Sequence, residues 1–418
     1  MMRKYIIAAM SLLATVGSAT AQVLSIDSCY ALANNNYPLI KQYELIEKTK
    51  EYTLSNASKA YLPQLSITAI EGYIFGGLPS FGPSTGESES NFKFIGIAQL
   101  NQVLWDGGAT KTQKKIITAS SETEKASIDV ALYDLHSRVN QLYFGILLVD
   151  EQLAQLEVQN IILSNNVNRI KQLNDNGLAL KTDLDEIKVE QLKLNQQKTE
   201  LKFTRDGYVT MLSLLIGAKI EAPITLQKPA LSSALPDFQI IRPELSLYKS
   251  QRNMVEAQAG MQRVSLMPKV GLLGAGVMFA PGISFGNSEL SSVGVAGLSA
   301  SWSLSGFYKN KNEKQLTQQS LSKINLQEET FLFNTNLKVI QTSATIKKQK
   351  AILAEDDEIV SLRKSIRESY QIKYNTGSGS LMDLLNATEK ESEASSQKAL
   401  HEMQLLITIA EQKTTTGN

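Results

Sequence analysis

The 418-residue chain contains only one cysteine and two histidines. This scarcity excludes disulfide frameworks, iron–sulfur clusters and cysteine-rich zinc sites, because each needs several such side chains. Neither sign of charge is in excess, since 42 Lys or Arg residues stand against 41 Asp or Glu residues. A nucleic-acid-binding surface needs a basic face, so the composition predicts no nucleic-acid partner. An enzyme built from this chain would have to work almost entirely with carboxylates, hydroxyls and lysines.

Long apolar runs are absent after residue 22. The N-terminus has a positive start at Arg3 and Lys4, an apolar stretch over residues 6–16, and the small residues Ala19-Thr20-Ala21 before Gln22. This pattern predicts a secretory signal peptide over residues 1–21. A transmembrane helix needs about 20 consecutive apolar residues, and no later segment approaches that length. Any membrane-spanning part of the mature protein would therefore consist of strands.

The two halves of the chain repeat the same landmarks. Pro38 and Pro63 lie 25 residues apart, as do Pro243 and Pro268. Four further pairs are separated by 200 residues: Leu104 and Leu304, Gly177 and Gly377, Asp183 and Asp383, and Leu184 and Leu384. The proline pairs and the later pairs have slightly different offsets between the two halves, and one longer loop in the first half accounts for the difference. The sequence therefore predicts a tandem duplication. The halves cover residues 22–219 and 242–418, and a proline-containing connector joins them.

A sustained repeat of apolar residues follows the first pair of predicted strands. From Ile128 to Ile170 the apolar positions step by four and three, and only Asn160 among them is polar. This is the pattern of coiled-coil packing, and it predicts a helix over residues 108–175. The second half predicts a similar helix over 309–375, with these polar residues at candidate seam positions: Lys338, Thr342, Thr345, Gln349 and Arg363. The wall of a water-filled channel and a solvated coiled-coil surface both explain such a seam.

Two hairpins precede these long helices. The predicted strands cover residues 64–77, 91–105, 269–280 and 291–304, with loops at 78–90 and 281–290. Tilted strands of about 9–11 residues already cross a bilayer, so these are long enough. In the last strand, one face carries Ala296, Leu298, Ala300, Trp302 and Leu304, and the other carries glycine and serines, as in a barrel wall around water. Glu71 breaks the pattern of the first strand, so a small soluble sheet remains an alternative.

Aromatic residues lie near both ends of the hairpins. Tyr73, Phe75, Phe92 and Phe94 are beside the loops, and Trp105, Trp302, Phe307 and Tyr308 are beside the helices. They predict two girdles at the membrane interfaces. Four strands cannot close a barrel and lipid does not tolerate open edges, so several chains would have to share one barrel. Two chains would give eight strands and three would give twelve, and the strand pattern alone does not decide between them.

Several motifs, taken in order, resemble the TolC-like outer membrane efflux protein family. Tyr61-Leu62-Pro63 precedes the first hairpin, and Leu104-Trp105-Asp106-Gly107-Gly108 closes it. Helix turns follow at Asn176-Gly177-Leu178 to Thr182-Asp183-Leu184 and at Thr376-Gly377 to Asp383-Leu384-Leu385-Asn386-Ala387. Each motif is weak alone, but their order and spacing are specific over nearly all of the chain after the signal peptide. The second half departs from the pattern with Leu304-Ser305-Gly306-Phe307.

The resemblance implies a mainly α-helical fold with a transmembrane β part. A homotrimer, with four strands from each chain, would form a 12-stranded β-barrel in the outer membrane of a Gram-negative bacterium. A long coiled-coil α-helical barrel would continue across the periplasm as a tunnel. The implied domains are the signal peptide 1–21, periplasmic helices at 22–62 and 242–267, outer membrane hairpins at 63–105 and 268–305, long helices with helical hairpins at 106–219 and 306–418, and an equatorial connector at 220–241.

The same resemblance implies a function and its partners. The protein would be a channel for efflux transport or type I secretion, without catalytic residues, metal or cofactor. Its partners would be a periplasmic adaptor (membrane fusion) protein, an inner-membrane pump or secretion ATPase, and the lipids of the outer membrane. The loops at 78–90 and 281–290 would form the extracellular mouth.

Two helix turns form the expected periplasmic tip. A glycine with positive φ ends a helix favourably, and residues 182–185 and 380–383 resemble capping boxes that start the next helices. By resemblance, adaptor hairpins would dock at Gly177, Leu180, Asp183, Leu184, Gly377, Leu381, Asp383 and Leu384, with the four leucines as exposed apolar contacts. An acidic aperture would lie near Glu368 and Asp175. A solvated helix face is the alternative for both acids.

Two other classes of function compete with the channel. A soluble periplasmic coiled-coil adaptor or scaffold would share the long helices and the export signal, but it needs no membrane-length hairpins. A carboxylate-based hydrolase is the other alternative. Its acids would be scattered through helical repeats, and His136 and His401 lie far apart in the sequence. The sequence therefore predicts a channel that is not an enzyme.

Overall fold

The computed structural model describes residues 23–73, 75, 92–177, 180–219, 225–230, 239–281 and 291–418. The predicted signal peptide, the loop at 78–90 and almost all of the loop at 281–290 lie outside these residues, as does most of the connector.

Helices dominate the described part of the chain. The first half contains β1 (Val23–Leu24), α1 (Ile26–Asn36), α2 (Gln42–Ser58), β2 (Gln64–Tyr73), β3 (Phe92–Trp105), α3 (Ala109–Tyr133), α4 (Leu135–Asp175) and α5 (Lys181–Ile216). The second half contains β4 (Thr225–Leu226), α6 (Pro243–Val264), β5 (Lys269–Pro281), β6 (Ser291–Ser301), α7 (Ser305–Asn375) and α8 (Leu381–Thr416). Both halves thus run from a strand pair through long helical segments to a turn and a further helix.

No helix within the described ranges combines the length and the apolar character that a membrane-crossing helix requires.

Two predicted elements differ from the structure. The helix predicted over 108–175 is interrupted at Asp134, whose amide reaches the Val130 carbonyl over a long 3.4 Å. Asp134 keeps right-handed angles near those of a 3₁₀ turn, so the break is a local loosening of the hydrogen-bond ladder. The strand predicted over 291–304 ends at Ser301, because the chain turns at Leu304 and α7 already begins at Ser305.

The chain forms two compact units. One is built from the chain up to Ile40, Asp129–Pro243 and Phe331–Asn418, and the other from Lys41–Ile128 and Glu244–Thr330. The first, the helical unit, has its core along the seam predicted for α4, where Val139, Ile146 and Ile170 are fully buried. Cys29 lies in the same core, and burial raises the pKa of its thiol to about 12.

The polar seam of α7 is buried. Thr342 is 3% exposed and Gln349 is 7% exposed, and the Gln349 amide donates to Gln404 of α8 over 3.0 Å. At these two positions both earlier explanations, a water-lined channel wall and a solvated coiled-coil surface, are wrong. Lys338 lies off the seam and is exposed, because the buried positions Thr335, Val339, Thr342, Ile346 and Gln349 alternate steps of four and three. Gln349 bonds α8 across the helix pair, whereas Thr335 and Thr342 donate to backbone carbonyls of α7 itself, so the polar seam is satisfied in two ways.

A two-stranded parallel sheet ties the start of the described chain to the connector. Val23 pairs with Thr225 and Leu24 with Leu226. The fully buried Tyr143 hydroxyl lies 2.9 Å from the Leu24 carbonyl oxygen and 2.6 Å from the Gln227 carbonyl oxygen. One buried side chain of α4 therefore holds both strands.

Removing this hydroxyl should destabilise the helical unit. Tyr143→Phe removes the donor that the two carbonyl groups share. The Leu24 carbonyl still accepts from the Gln227 amide, but the Gln227 carbonyl loses this partner, and an unsatisfied group of this kind lowers the free energy of unfolding by about 1–3 kcal/mol. Tyr52→Phe is the matched control, because Tyr52 is 66% exposed. Thermal unfolding followed by circular dichroism should show a lower midpoint for Tyr143→Phe alone, and equal midpoints for the two variants would contradict this role.

The second unit, the sheet unit, contains a four-stranded antiparallel sheet in the order β2-β3-β5-β6. The two hairpins join through the pairing of β3 with β5, which has a bulge between Val103 and Trp105. Within the described residues, the outer strands β2 and β6 each pair along one edge only.

Cross-strand register collects apolar side chains of all four strands on one face, because residues directly opposite each other point to the same side. Ala98, for example, lies opposite both Ile67 and Gly276. This apolar face carries Leu65, Ile67, Phe94, Leu100, Trp105, Leu272, Met278 and Leu298. The opposite face is polar towards the helical end, with Gln64, Ser66, Gln99, Asn101, Ser299 and Ser301. Glu71 lies on the apolar face near the loop end of β2, opposite Phe94.

Helices of the sheet unit follow the same order as the strands. Ion pairs join α2 to α3, including Lys50 and Glu122 at 3.3 Å. A Cβ atom at Gly260 of α6 would lie 3.1 Å from Thr112 of α3. Gln262 of α6 donates to the Thr317 hydroxyl of α7 over 3.1 Å. The four strands therefore continue into a single layer of four helices.

Candidate functional site

The first predicted tip joins α4 to α5. Gly177 has a φ of +73° and its amide donates to the Asn174 carbonyl over 2.9 Å, as expected for a glycine that ends a helix. The next helix starts after Leu180, whose amide donates to the Asp183 carboxylate over 3.2 Å. The capping box predicted at 182–185 is therefore wrong by two residues. It is also only half a box, since leucine has no side-chain acceptor.

The second predicted tip joins α7 to α8. Gly377 has a φ of +77° at the end of α7. Ser380 is the N-cap of α8, and the Asp383 amide donates to its hydroxyl over 3.1 Å. The Ser380 hydroxyl in turn donates to the Asp383 carboxylate over 2.7 Å. The predicted N-cap at Ser380 is confirmed, but Asp383 bonds the Ser380 side chain rather than completing a capping box.

The tip leucines differ in exposure. Leu180 is 69% exposed, Leu184 is half-buried, and Leu381 and Leu384 are buried. The expectation that all four are exposed contacts is therefore wrong for Leu381 and Leu384. Ser380 fixes the phase of α8 so that its first apolar residues face the core. Met382, which the sequence analysis did not select, is 48% exposed instead.

A contact between the two halves lies beside the tips. Arg169 of α4 donates to the backbone carbonyl of Asn375 over 3.1 Å and also to its side chain. The Arg169 guanidinium lies over the Tyr374 ring at 5.5 Å from its centroid, a cation–π arrangement. The ends of α4 and α7 are thereby fastened together, which no sequence motif signalled.

The two predicted aperture acids have different surroundings. Asp175 is the last residue of α4 and is exposed. Glu368 lies 3.6 Å from Arg367, which also pairs with Glu391 at 2.7 Å. One arginine thus serves two carboxylates, so the charge of Glu368 is only partly compensated.

Asp106 organises the junction between β3 and α3. Its carboxylate accepts hydrogen bonds from the Tyr61 hydroxyl at 2.9 Å, the Gly108 amide at 2.8 Å and the Thr110 amide at 2.6 Å. Burial works to raise the pKa of Asp106. The bonds from Thr110, Tyr61 and Gly108 outweigh it and hold the pKa at about 2. The carboxylate therefore stays charged and caps the first turn of α3.

Gly107 makes the same junction possible. Its φ is +68°, and a Cβ atom there would lie 2.6 Å from the Met267 Cβ. Both the backbone conformation and the space exclude a larger residue. The Asp-Gly-Gly motif was visible in the sequence, but Asp106 was not among the predicted site residues. An aspartate three residues before the start of α3 was the available signal.

Residues 237–418 match the model of the family described as outer membrane efflux protein. The matched segment holds β5, β6 and the whole second helical hairpin. The second half of the chain is thus similar to outer membrane efflux proteins. Proteins of this family are channels rather than enzymes, and they lie in the outer membrane of Gram-negative bacteria with periplasmic tunnels.

Solved structures share the fold of this chain over 94% of its length. The outer membrane protein VceC of Vibrio cholerae is 14% identical, with a TM-score of 0.67 over 94% of this chain and 96% of that chain. The CmeC channel of Campylobacter jejuni is 15% identical, with a TM-score of 0.63 over 94% and 85%. The MtrE channel of Neisseria gonorrhoeae is 14% identical, with a TM-score of 0.63 over 94% and 89%. No curated protein sequence matches the chain.

The predicted girdle aromatics lie at the two ends of the sheet. At the loop end, the rings of Tyr73 and Phe75 are 5.0 Å apart and both are exposed, while Phe94 is half-buried. The Phe92 side chain lies outside the described part of the structure. At the helical end, Trp105, Trp302, Phe307 and Tyr308 are all exposed. The Trp302 indole donates to the Leu266 carbonyl over 3.0 Å, which fixes the ring at the edge of the helical layer.

Proposed function

We propose that this protein is one subunit of a homotrimeric outer membrane efflux channel. Its three four-stranded sheets would close one 12-stranded barrel in the outer membrane, and its helices would form a tunnel through the periplasm. Solutes delivered by a periplasmic adaptor and an inner-membrane pump or secretion ATPase would leave the cell through it.

The open sheet edges carry this proposal. Among the described residues, strands β2 and β6 each have an unpaired edge, and the apolar face between them includes Ile67 at 75% exposure and Leu298 at 77% exposure. In lipid, every backbone group needs a partner, so a sheet of this kind is stable only when other copies complete it. The opposite face, which is polar towards the helical end, would then line a water-filled lumen.

A helix face that has no partner among the described residues supports the same assembly. Phe333, Leu337 and Ile340 recur at steps of four and three on α7 and are 63%, 51% and 66% exposed. They do not occupy the buried seam, which faces α8. A second apolar seam is what packing against a neighbouring subunit requires.

The helix turns support adaptor docking. Leu180 and Met382 each stand exposed beside a capping aspartate, Asp183 and Asp383, so both turns combine an apolar contact with a fixed carboxylate. Gly177 and Gly377 would allow the turns to form, and the less exposed Leu184, Leu381 and Leu384 would pack beneath them. Three copies each of Asp175 and Glu368 would make the periplasmic aperture acidic and favour cations.

The oligomeric mass tests the proposal. The chain without its signal peptide has a mass of about 44 kDa, so a trimer extracted from outer membranes would contain about 130 kDa of protein. Light scattering combined with absorbance and refractive index separates protein mass from detergent mass. A monomer recovered from the soluble periplasm would overturn the shared barrel and favour the adaptor or scaffold alternative.

A further inference from the structure

Positive charge is concentrated where the sheet meets the helices. The four segments at this junction, residues 52–63, 106–117, 257–269 and 302–314, contain nine Lys or Arg residues and two acids. The whole chain has a net charge of only +1. In the sequence, residues 71–93 and 279–291, which include the loops predicted within the two hairpins, contain four acids and one lysine. The near-neutral composition therefore includes segments of opposite charge.

Six of these cations define a basic collar: Lys111, Lys114, Lys115, Arg263, Lys311 and Lys314. Five are exposed and Lys114 is half-buried. Among the residues that the structure describes, none of the six forms an ion pair. Ion pairs do join other helices of the sheet unit, including α2 to α3 and α6 to α7. Of the two acids at the junction, Asp106 is occupied by its own hydrogen bonds. The collar charge is therefore not neutralised within the chain.

Helix geometry directs the collar towards the aromatic residues. Phe307, Lys311 and Lys314 follow one another at steps of four and three on α7 and share one face. Glu313 and Thr317, which contact α6, lie on a different face. The Phe307 ring packs against Trp302 at 6.3 Å, and Trp302 continues the alternation of Ala300 and Leu298 on the apolar face of the sheet. Lys111, Lys114 and Lys115 likewise share one face of α3.

We propose that the basic collar binds the phosphate groups of anionic phospholipids in the leaflet next to the helices. Exposed indole and phenol rings lie at the headgroup level of a bilayer, so cations one helical turn further out would meet the lipid phosphates. Each Lys or Arg near an anionic surface adds attraction that falls off within a Debye length. The collar would fix the depth of the barrel and draw anionic lipid to its helical end. This inference rests on the proposed function, because it requires the sheet to span a bilayer.

The test uses the full-length protein without its signal peptide, reconstituted in phosphatidylcholine vesicles. Electron spin resonance measures how much spin-labelled lipid is immobilised at the protein surface, for phosphatidylglycerol and for phosphatidylcholine. We expect a preference for phosphatidylglycerol of about threefold or more at 0.15 M salt. The preference should nearly vanish at 1 M salt, where the Debye length falls from about 8 Å to about 3 Å.

Variants locate the effect. Replacing Lys111, Lys114, Lys311 and Lys314 with glutamine should abolish the preference, and replacing the same four with arginine should keep it. The matched control replaces Lys188, Lys347, Lys348 and Lys350 with glutamine. These lysines are exposed, lie in the helical unit and contribute the same charge. The control should keep the preference of the wild type.

The outcomes separate the two proposals. Immobilised lipid without any preference for phosphatidylglycerol, or a preference that survives in the glutamine variant, overturns the collar and leaves the channel standing. No immobilised lipid of either kind means that the sheet does not enter the bilayer, which overturns the channel and the collar together.

Discussion

Asp183→Arg and Gly177→Pro are each expected to abolish export while the channel still reaches the outer membrane. Gly177 has a φ of +73° and donates its amide to Asn174, whereas proline fixes φ near −65° and has no N–H. Asp183→Arg removes the acceptor of the Leu180 amide and places a cation at a helix N-terminus. Both changes displace the exposed Leu180, and neither residue belongs to the sheet unit.

The resistance of bacterial strains to exported compounds measures the loss of export. The compounds to use are those to which a strain lacking the protein becomes hypersensitive. Strains with Asp183→Arg or Gly177→Pro should be as sensitive as the deletion strain, with normal amounts of protein in the outer membrane fraction. Asp183→Asn is the control, since the amide oxygen still accepts from Leu180, and it should retain most of the resistance. Normal resistance in the arginine variant would sink the docking proposal.

Asp106→Ala is expected to have the largest effect on stability. It leaves the Gly108 and Thr110 amides and the Tyr61 hydroxyl without their acceptor at a site that is 6% exposed. Loss of a helix cap together with buried charge-assisted bonds lowers the free energy of unfolding by about 3 kcal/mol. For a chain of this size, the thermal midpoint should fall by about 4 °C. Asp134→Ala is the control, because Asp134 makes no side-chain capping bond.

Acid should reproduce part of this loss. The pKa of Asp106 is lowered from 3.8 to about 2 on folding, so the folded state binds its proton less readily than the unfolded state. The resulting stabilisation of about 2 kcal/mol is fully present above pH 4 and disappears as the pH falls from 4 to 2. Asp106→Asn should show a correspondingly smaller loss over this range, in thermal unfolding followed by circular dichroism. An identical acid response in wild type and variant would mean that Asp106 is not charged in the folded protein.

Local patterns predicted the elements better than the contacts between them. The step of four and three along α4 identified Val139, Ile146 and Ile170, because helical periodicity depends only on neighbouring residues. The burial of Leu381 and Leu384 was missed, since it follows from the phase that Ser380 imposes on α8. For Asp106, the motif was visible, but its partner Tyr61 is 45 residues away.

The basic collar was likewise not predicted, because it depends on contacts between distant segments of the chain. The total of 42 basic and 41 acidic residues suggested no charged surface at all. The four basic segments lie far apart in the sequence, and only the sheet order β2-β3-β5-β6 brings them to one level. Composition counts charged residues but does not report where the fold places them.

The unpaired edges of β2 and β6 also have a genetic consequence. If the sheet is completed only by other copies of the chain, defective and normal subunits assemble into the same oligomer. In a cell that makes equal amounts of wild-type and tip-defective chains, random mixing into the proposed trimers leaves only about one assembly in eight wholly wild type. Alleles that fold normally but fail at the tips should therefore be dominant. Alleles that prevent folding, such as severe changes at the β3–α3 junction, should be recessive, because their products never meet a partner.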